Sequence, residues 1–296
     1  MTLTSQPEVA LVGMAATGKT TFVAAFWNLI QETSANPLLR LRRLPEQAAY
    51  LTAIHDAWLH GTEAAHTSRS GGELIQIDIS LSGRDLALSL PDPSGESFDD
   101  MFLQRQLATE IDALLVAADG FMLFVHPAHL RTRVTILNAH QMGAMPVLSR
   151  VEGEKADTSQ KPEAETPKQF DPKRIPAEVQ AVDLLQSIRL RRATARPGES
   201  SGRLVVLVSA WDEVIKENLT PAQWLGARMP LLRQFLEATS RVEPYRIYGI
   251  SAQGGSYVDR KDLAAVDPTK RAFVVDSSGN TSYDVAEPVA WVAHVT

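Results

Sequence analysis

The sequence contains no cysteine among its 296 residues. Disulfide bonds, cysteine-ligated metals and thiol catalysis are therefore excluded, and this absence fits a protein of the reducing cytosol. The chain also lacks a hydrophobic run long enough to cross a bilayer, because its most apolar stretch, residues 111–126, is interrupted by Asp112, Asp119 and Gly120. Its first residues, MTLTSQPEV, do not combine a basic start with an apolar run. We expect a cytoplasmic protein with no signal peptide and no membrane partner.

An excess of positive charge is also missing. The sequence has 29 Lys and Arg against 35 Asp and Glu, a formal net charge of −6, which argues against nucleic acid as a direct bulk partner. The 7 histidines show no H-E-x-x-H or similar spacing, so the sequence does not predict a zinc site. What remains is the composition of an ordinary globular protein, 44% hydrophobic and 22% charged, long enough for one large core.

The most informative stretch that is present, GMAATGKT at residues 13–20, fits the pattern G-x-x-x-x-G-K-[ST]. The apolar run VALV before it predicts a buried strand, and the residues after it predict a helix. Glycines let the loop amides converge on an anion, and a helix N-terminus adds N–H groups and a positive dipole end. In such a P-loop Lys19 would reach the β- and γ-phosphates and Thr20 would ligate Mg²⁺. The alternative is a chance match, and the flanking strand and helix favour nucleoside triphosphate binding.

A second candidate motif, Asp92-Pro93-Ser94-Gly95, follows a predicted β-hairpin. Segments 75–81 and 86–90 alternate in hydrophobicity and predict its strands, and turn formers lie between them. An acidic residue after a strand beside the P-loop strand is where Mg²⁺ is held, and Asp92 has that place. Gly95, three residues later, would let its backbone N–H approach a γ-phosphate. The alternative is a surface turn, since Pro, Ser, Gly and Asp are all turn formers.

Three further apolar segments, 120–125, 204–208 and 245–250, predict buried strands. Each ends in polar residues, and helix candidates precede or separate them, among them the amphipathic stretch 102–117 and a helix at about 178–193. This order predicts an α/β fold, a three-layer P-loop NTPase with a mostly parallel central sheet, one antiparallel hairpin strand and helices on both faces. The ligand should lie across the carboxyl ends of the strands.

The order of these motifs resembles that of the Ras-like, or translation-factor-related, P-loop GTPases. Those proteins carry a P-loop, a switch threonine, D-x-x-G, an [NT]-K-x-D guanine motif and S-A-[KLQ], and the sequence offers a candidate at each place in this order. The closest resemblance is to the double-GTPase families of bacterial conflict, or GTPase-associated defence, systems. Those families combine VGxxxxGKT, D-P-S-G-E and S-x-W-D with a late E-P-[LIV]-x-W, which is Glu287-Pro288-Val289-Ala290-Trp291 here.

The resemblance implies a site that reads guanine. Asp212 falls on the acid that accepts hydrogen bonds from the N1–H and the exocyclic amine of the base, a donor pair that adenine lacks. Ser209 stands where Asn or Thr is usual, and Ala210 replaces the lysine whose stem packs on the base. Trp211 is a core residue or a wall of the base pocket, with the core favoured.

Ser251 and Ala252 match the last motif, in which a backbone N–H meets the guanine carbonyl. The P-loop and these motifs together define the predicted nucleotide site. Its predicted residues are Gly13, Ala15, Ala16, Thr17, Gly18, Lys19, Thr20, Thr21, Ser209, Trp211, Asp212, Ser251, Ala252 and Gln253.

Catalysis departs from the Ras-like pattern at one residue. Ras-like enzymes place a glutamine that orients the attacking water after the D-x-x-G glycine, whereas Glu96 stands there in this sequence. A carboxylate cannot also donate to the γ-phosphate, so slow or partner-stimulated hydrolysis is expected. The switch threonine, a third Mg²⁺ ligand beside Thr20 and Asp92, is assigned to Thr67 in preference to Thr62, although both fit ordinary loop residues. The predicted catalytic residues are Lys19, Gly95, Glu96 and Thr67.

We expect residues 1–296 to form a single P-loop GTPase-like domain. Residues 152–178, rich in Glu, Lys, Pro and Thr, predict a flexible insertion, with a partner-binding arm as the alternative. The basic clusters RLRR at 40–43 and 189–192 are interpreted as solvated faces. Residues 258–296 predict a C-terminal appendix to the same domain, with a short hairpin and a short helix starting near Pro288.

These features favour a switch that binds GTP or GDP with Mg²⁺ and presents the segments around Thr67 and 92–98 to protein partners. Two alternatives stay open. Glu96 is compatible with a nucleotide-binding scaffold without turnover. An ATPase of another P-loop class usually carries a hydrophobic run ending in Asp-Glu, whereas here Asp92 is followed by Pro-Ser-Gly. Such an ATPase would also leave Asp212 without a role.

Overall fold

The computed structural model describes residues 6–32, 34–63, 74–91, 96–130, 175–199, 202–256 and 260–295. The strands in these ranges are β1 (Glu8–Val12), β2 (Leu39–Leu41), β3 (Leu74–Leu81), β4 (Arg84–Pro91), β5 (Gly120–Val125), β6 (Arg203–Val208), β7 (Tyr245–Ser251), β8 (Phe273–Val275) and β9 (Thr281–Ser282). The α-helices are α1 (Lys19–Gln31), α2 (Ala48–Leu59), α3 (Glu96–Gln104), α4 (Thr109–Ala117), α5 (Ala177–Ala195), α6 (Trp211–Val214), α7 (Pro221–Arg228), α8 (Pro230–Thr239), α9 (Arg260–Ala265), α10 (Pro268–Arg271) and α11 (Glu287–Val292). No helix among the described residues is both long and apolar enough to span a membrane.

The strands join in one sheet in the order β2-β3-β4-β1-β5-β6-β7-β8-β9. The P-loop strand β1 lies between β4 and β5 and is parallel to both, and β5, β6 and β7 continue the parallel order. The predicted mostly parallel α/β sheet is therefore confirmed. β3 runs against its neighbours, as the hairpin predicted, and β8 also runs antiparallel to β7. The sheet thus has an opposing strand near each edge, one more than the fold prediction included.

Helices cover both faces of the sheet. One apolar cluster joins α1, α2 and α11 to the first face, and a second joins α3, α4, α5, α7 and α8 to the other. Along β1, Val9 and Leu11 belong to the first cluster, whereas Ala10 and Val12 belong to the second, and all four are fully buried. Burial on both faces is the reason why this strand is a continuous apolar run in the sequence.

The amphipathic stretch 102–117 is not one helix but parts of two. α3 ends at Gln104 and α4 begins at Thr109, and Arg105 between them has a φ of +58°. A residue in the left-handed region cannot continue a right-handed helix. Its guanidinium donates to Asp183 of α5 over 2.6 Å, so a contact distant in sequence accompanies the break. The other predicted helix, at about 178–193, is confirmed as α5.

The C-terminal residues extend the same sheet. β8 pairs with β7 and β9 with β8, which confirms the predicted hairpin. α11 carries Pro288 in its first turn, where the missing N–H is tolerated. It packs closely under β5, since a Cβ on Gly120 would lie 2.7 Å from Cγ2 of Val292.

Candidate nucleotide-binding site

The P-loop has a backbone that only glycine suits at its two ends. Gly13 has a φ of +146°, and a Cβ there would lie 2.8 Å from the carbonyl oxygen of Phe124 on β5. Gly18, immediately before α1, has a φ of +91°, and a Cβ there would lie 3.1 Å from Cβ of Ser209. The loop is therefore packed against the carboxyl ends of β5 and β6, and it leads into the N-terminus of a 13-residue helix. This arrangement fits an anion-binding loop.

The Lys19 side chain folds back onto this loop. Lys19 is 3% exposed, and its Nζ donates to the carbonyl oxygens of Gly13 at 2.6 Å and Met14 at 2.7 Å. Thr17 adds a hydrogen bond from its Oγ1 to the Met14 carbonyl at 2.9 Å. The Phe98 ring of α3 lies below the ammonium, 5.9 Å from Nζ to the centroid. The cation predicted to meet phosphates is thus held inside the loop by backbone oxygens.

The remaining P-loop positions line the rim of the loop. Ala15 is half-buried and Ala16 is exposed with a φ of +54°, so backbone groups at this turn are accessible from outside. Thr20 and Thr21 form the first turn of α1 and are half-buried. The first turn of a helix cannot satisfy its N–H groups within the helix, which is the reason why it suits an anion.

The predicted guanine motif begins at Ser209, directly after β6. Its Oγ donates to the carbonyl of Val125 at 3.0 Å, and its N–H donates to the same oxygen at 2.9 Å. Ala210 follows with a φ of +45° and caps α6. This turn brings α6 over the end of the sheet, next to the P-loop that packs on Ser209.

Trp211 is a core residue, as favoured from the sequence. It is 1% exposed and meets the Trp224 ring edge-on at 6.4 Å between centroids. Its indole covers Gly249 of β7 so closely that a Cβ there would lie 2.2 Å from Cδ2. The buried indole fixes α6 on the sheet and leaves the next residue, Asp212, half-buried.

The last motif joins Asp212 to the end of β7. The Ser251 hydroxyl donates to Oδ1 of Asp212 and accepts the N–H of Gly254 at 3.1 Å. The carbonyl of Ala252 accepts a hydrogen bond from Nε1 of Trp58 on α2 at 2.7 Å. These bonds bring the two predicted guanine-binding segments together.

Two further residues, Trp58 and Arg271, support this loop, and neither was predicted from the sequence. Arg271 stacks over the Trp58 ring, 3.7 Å from its centroid, and donates to the carbonyls of Trp58 and Leu59 at the end of α2. The pair thus fixes the indole that holds Ala252. Gln253, in the next position, is 8% exposed, and neither polar atom of its amide has a hydrogen-bond partner within the described part of the chain.

Four predicted residues contribute no described side chain to the site. Thr67, Asp92 and Gly95 lie outside the described residues. Glu96 is the first residue of α3, and its backbone alone is described. Two of the three predicted Mg²⁺ ligands, Asp92 and Thr67, are thus outside the description. Within the described ranges no cluster of three or more acidic or histidine side chains could hold a metal ion.

Two histidines that the sequence analysis considered only as zinc ligands lie beside the P-loop. His126 and His129 follow β5, with ring centroids 5.2 Å apart. They line a cavity of about 20 Å³, room for about one water, together with Gly13, Met14 and Thr17 of the loop and the start of α5. The signal available in the sequence was their place after a central strand, where α/β proteins bind ligands.

Burial lowers the pKa of both imidazoles. For His126 the charge of His129 lowers the pKa further and Asp212 opposes this. For His129 the carboxylate of Asp99 opposes the effect of burial, and Lys19 adds to it. Burial therefore favours the neutral form of both rings.

A larger polar cavity of about 400 Å³ lies at the opposite end of β1. It is lined by Gln6, Glu8, Arg42, Arg43, Gln76, Asp78 and Ala87. Arg43 pairs with Asp78 at 2.7 Å and Arg42 with Asp85 at 3.1 Å. This cavity is distant along the strand from the P-loop, which follows the carboxyl end of β1.

Comparison with solved structures finds matches of low sequence identity and low TM-score. Nucleolar GTP-binding protein 1 from Plasmodium falciparum is 11% identical, with 88% of this chain and 84% of that chain covered and a TM-score of 0.36. A bacterial selenocysteine-specific elongation factor, EF-Sec, is 14% identical with a TM-score of 0.35, and the match covers 87% of this chain but 28% of the factor. The GTPase-like domain of S. cerevisiae Ski7, bound to GTP, is 11% identical with a TM-score of 0.34, covering 88% and 46%. At these values the three structures do not bear on what this chain binds.

No curated protein matches the sequence. The family model of Double-GTPase 1 matches residues 10–292. This match includes the P-loop, the hairpin, the Asp212 and Ser251 segments and the late Glu287–Trp291 motif, and it confirms the resemblance on which the sequence analysis relied. The chain belongs to the Double-GTPase 1 family.

Proposed function

We propose that the chain is a guanine-nucleotide-binding switch that requires Mg²⁺ and hydrolyses GTP slowly or only with a partner. The observation that carries the proposal is the close packing of Gly18 against Ser209. It joins the anion-binding loop to the segment that holds Asp212 against Ser251. Membership of a double-GTPase family supports guanine nucleotide as the ligand.

On the phosphate side, Lys19 changes partners when nucleotide binds. Its Nζ leaves the Gly13 and Met14 carbonyls, now at 2.6 and 2.7 Å, for oxygens of the β- and γ-phosphates. Thr20, with Asp92 and Thr67, would hold Mg²⁺, which supplies charge neutralisation between the phosphates. The glycine backbone and the start of α1 provide the N–H groups that surround the anion.

On the base side, Asp212 is already oriented for guanine. One carboxylate oxygen accepts the Ser251 hydroxyl, and the second oxygen retains its lone pairs for the N1–H and amine of the base. The absence of the usual lysine leaves Ala210 to turn the backbone into α6 and removes a side chain that would pack on the base. We therefore infer that selectivity for guanine over adenine rests on Asp212.

Turnover is proposed to be slow because of Glu96. A carboxylate in the water-orienting position carries a negative charge beside the γ-phosphate and cannot donate to it. For comparison, loss of an arginine finger alone lowers the rate of phosphoryl transfer by a factor of roughly 10³–10⁵. A partner that contacts the switch segments around Thr67 and 92–98 would then control the nucleotide state. The resemblance to bacterial conflict systems supports a cytoplasmic defence role for such a pair.

Calorimetry with GTP, GDP, ATP and ADP, each with and without Mg²⁺, tests the binding part of the proposal. We expect GTP and GDP to bind and ATP to bind much more weakly. Removal of Mg²⁺ should lower the affinity for GTP. Equal affinities for ATP and GTP would contradict the guanine assignment, and absence of binding by all four would contradict the whole proposal.

Lys19→Met tests the P-loop, because methionine retains an apolar stem and removes the charge and the donors. It should abolish GTP binding, whereas Lys216→Met, at an exposed lysine of the turn after α6, serves as the matched control and should leave binding unchanged. A phosphate-release assay on the wild type then separates a slow GTPase from a scaffold without turnover. Rapid hydrolysis without any partner would contradict the switch proposal.

A further inference from the structure

The two histidines after β5 differ in how strongly their contacts oppose a second proton on the ring. The Nδ1 atom of His126 accepts the N–H of Ala128 at 3.1 Å and caps the short 3₁₀ turn Pro127–His129. An imidazole that accepts at Nδ1 carries its proton on Nε2. Adding a second proton to His126 would break this cap, so the turn itself keeps His126 neutral.

His129 has no such constraint. No described atom hydrogen-bonds a ring nitrogen of His129, and the ring is half-buried against the P-loop side of the cavity. The charged groups that act on it are Lys19 of α1 and Asp99 of α3. Asp212 of α6 acts on the neighbouring His126, and α5 contributes the uncharged Gln180 to the cavity wall.

Nucleotide binding would reverse the balance of charge around this ring. The positive charge of Lys19 lowers the pKa of His129 and so disfavours a second cation there, and the His129 ring lines the same small cavity as Gly13, Met14 and Thr17 of the P-loop. A triphosphate on the P-loop brings several negative charges to Lys19 and neutralises it. The same anion then favours the imidazolium form of His129, at a place where burial strengthens the interaction.

We propose that His129 takes up a proton from solvent when a nucleoside triphosphate occupies the P-loop, so that a second cation stands beside Lys19 in the loaded site. This inference rests on the proposed function and identifies a positioning residue for the triphosphate that the motif pattern does not include. His126 is its neutral ring neighbour, with the two ring centroids 5.2 Å apart.

The direct test measures proton uptake. Titration calorimetry of the full chain with Mg²⁺ and GTPγS, a slowly hydrolysed analogue, is run at pH 7.5 in two buffers with different heats of ionisation. The wild type should take up a substantial fraction of a proton per nucleotide, and its affinity should fall by up to about tenfold per pH unit over the linked range. His129→Gln, neutral at every pH, should lose both the uptake and this pH dependence.

Two controls separate His129 from its surroundings. His126→Asn keeps an acceptor in the place of Nδ1 for the Ala128 N–H and should retain the uptake, as should His60→Gln at the exposed end of α2. Any change in protonation of GTPγS itself is common to all variants and cancels in the comparison with His129→Gln. Uptake that persists in His129→Gln would overturn the inference.

A second measurement is made on the wild type itself, and the variants serve only to assign its resonances. Imidazole resonances of the wild type, assigned by comparison of the spectra of the variants, should show that the pKa of His129 rises when GTPγS binds, with His126 remaining neutral. Binding of GTPγS without proton uptake and without this rise would overturn the inference and leave the proposed function intact. Failure to bind any guanine nucleotide would instead refute the proposed function.

Discussion

Glu243, two residues before β7, predicts a dependence of stability on pH. The side chain is 3% exposed, and its Oε2 has no hydrogen-bond partner among the described residues. Burial raises the pKa of this carboxyl to about 7, although Arg189 and Arg192 of α5 pull it in the opposite direction. The folded protein therefore prefers Glu243 protonated, whereas the unfolded chain ionises it near 4.5.

The sign of the effect follows from proton counts. Between pH 4.5 and about 7 the folded state binds more protons at Glu243 than the unfolded state, so the free energy of unfolding falls as the pH rises through this window. Once the pH is well above 7, the difference between the two pKa values lowers the free energy of unfolding by about 3 kcal/mol. That cost is a large part of the stability of an ordinary domain.

Glu243→Gln removes this cost, because an amide resembles the protonated carboxyl at every pH. Urea unfolding at pH 5 and pH 8.5 should show the variant within about 1 kcal/mol of the wild type at pH 5 and about 2–3 kcal/mol more stable at pH 8.5. Glu46→Gln, at an exposed position before α2, is the control and should show no such difference. A Glu243→Gln advantage that is equal at both pH values, or absent, would refute the reasoning.

Three further predictions concern the nucleotide site. Asp212→Asn should lower the affinity for GTP and raise that for xanthosine triphosphate in competition binding, because an amide can donate to the carbonyl that replaces the guanine amine. An unchanged preference would mean that Asp212 has a structural role and does not read the base. Glu96→Gln should keep GTP affinity and keep or raise the hydrolysis rate in a phosphate-release assay, since it removes a negative charge and restores a donor; loss of appreciable native activity would identify Glu96 as a general base. Gly249→Ala would place a methyl 2.2 Å from Cδ2 of Trp211 and should cost about 1–3 kcal/mol of stability; a melting curve that superimposes on the wild type would refute this packing.

Elements whose conformation is determined by residues near them in the sequence could be predicted. The glycines of the P-loop need positive φ values, and the run VALV before them is apolar because both of its faces are covered. The hairpin of β3 and β4 was recognisable because its period of two is regular over both strands. In each case a few neighbouring residues determine the conformation.

The elements with a distant cause could not be predicted. β2, Leu39–Leu41, is a strand only because it pairs with β3, and the RLRR sequence at 40–43, which overlaps it, suggested a solvated basic cluster. The break at Arg105 has neither Gly nor Pro to announce it, and the residue instead pairs with Asp183 on α5. The helix α2 was not predicted, although Leu51, Ile54 and Trp58 have helical spacing. Position relative to a tertiary partner decided β2 and the break at Arg105, whereas the spacing in α2 is a local signal that was overlooked.

The candidate site divides in the same way. Motif spacing predicted Lys19, Asp212 and Ser251, because each would act through its own chemistry. It could not reveal that Lys19 is buried and bonded to two loop carbonyls, or that His129 shares a small cavity with residues of the P-loop. Both facts depend on how β5 and α1 meet, which no local pattern encodes.

The two halves of the site are prepared to different degrees for a ligand. On the base side the Ser251 hydroxyl already orients Asp212, and Trp58 already holds Ala252, so guanine would meet a rigid surface at little cost of reorganisation. On the phosphate side Lys19 must exchange two hydrogen bonds to backbone carbonyls, each worth about 0.5–1.5 kcal/mol, for bonds to phosphate. Under the proposed function, a triphosphate offers more oxygens to Nζ than a diphosphate and offsets this exchange better. The fixed half would therefore select the base, and the movable half would respond to the number of phosphates, which is the difference that a switch has to detect.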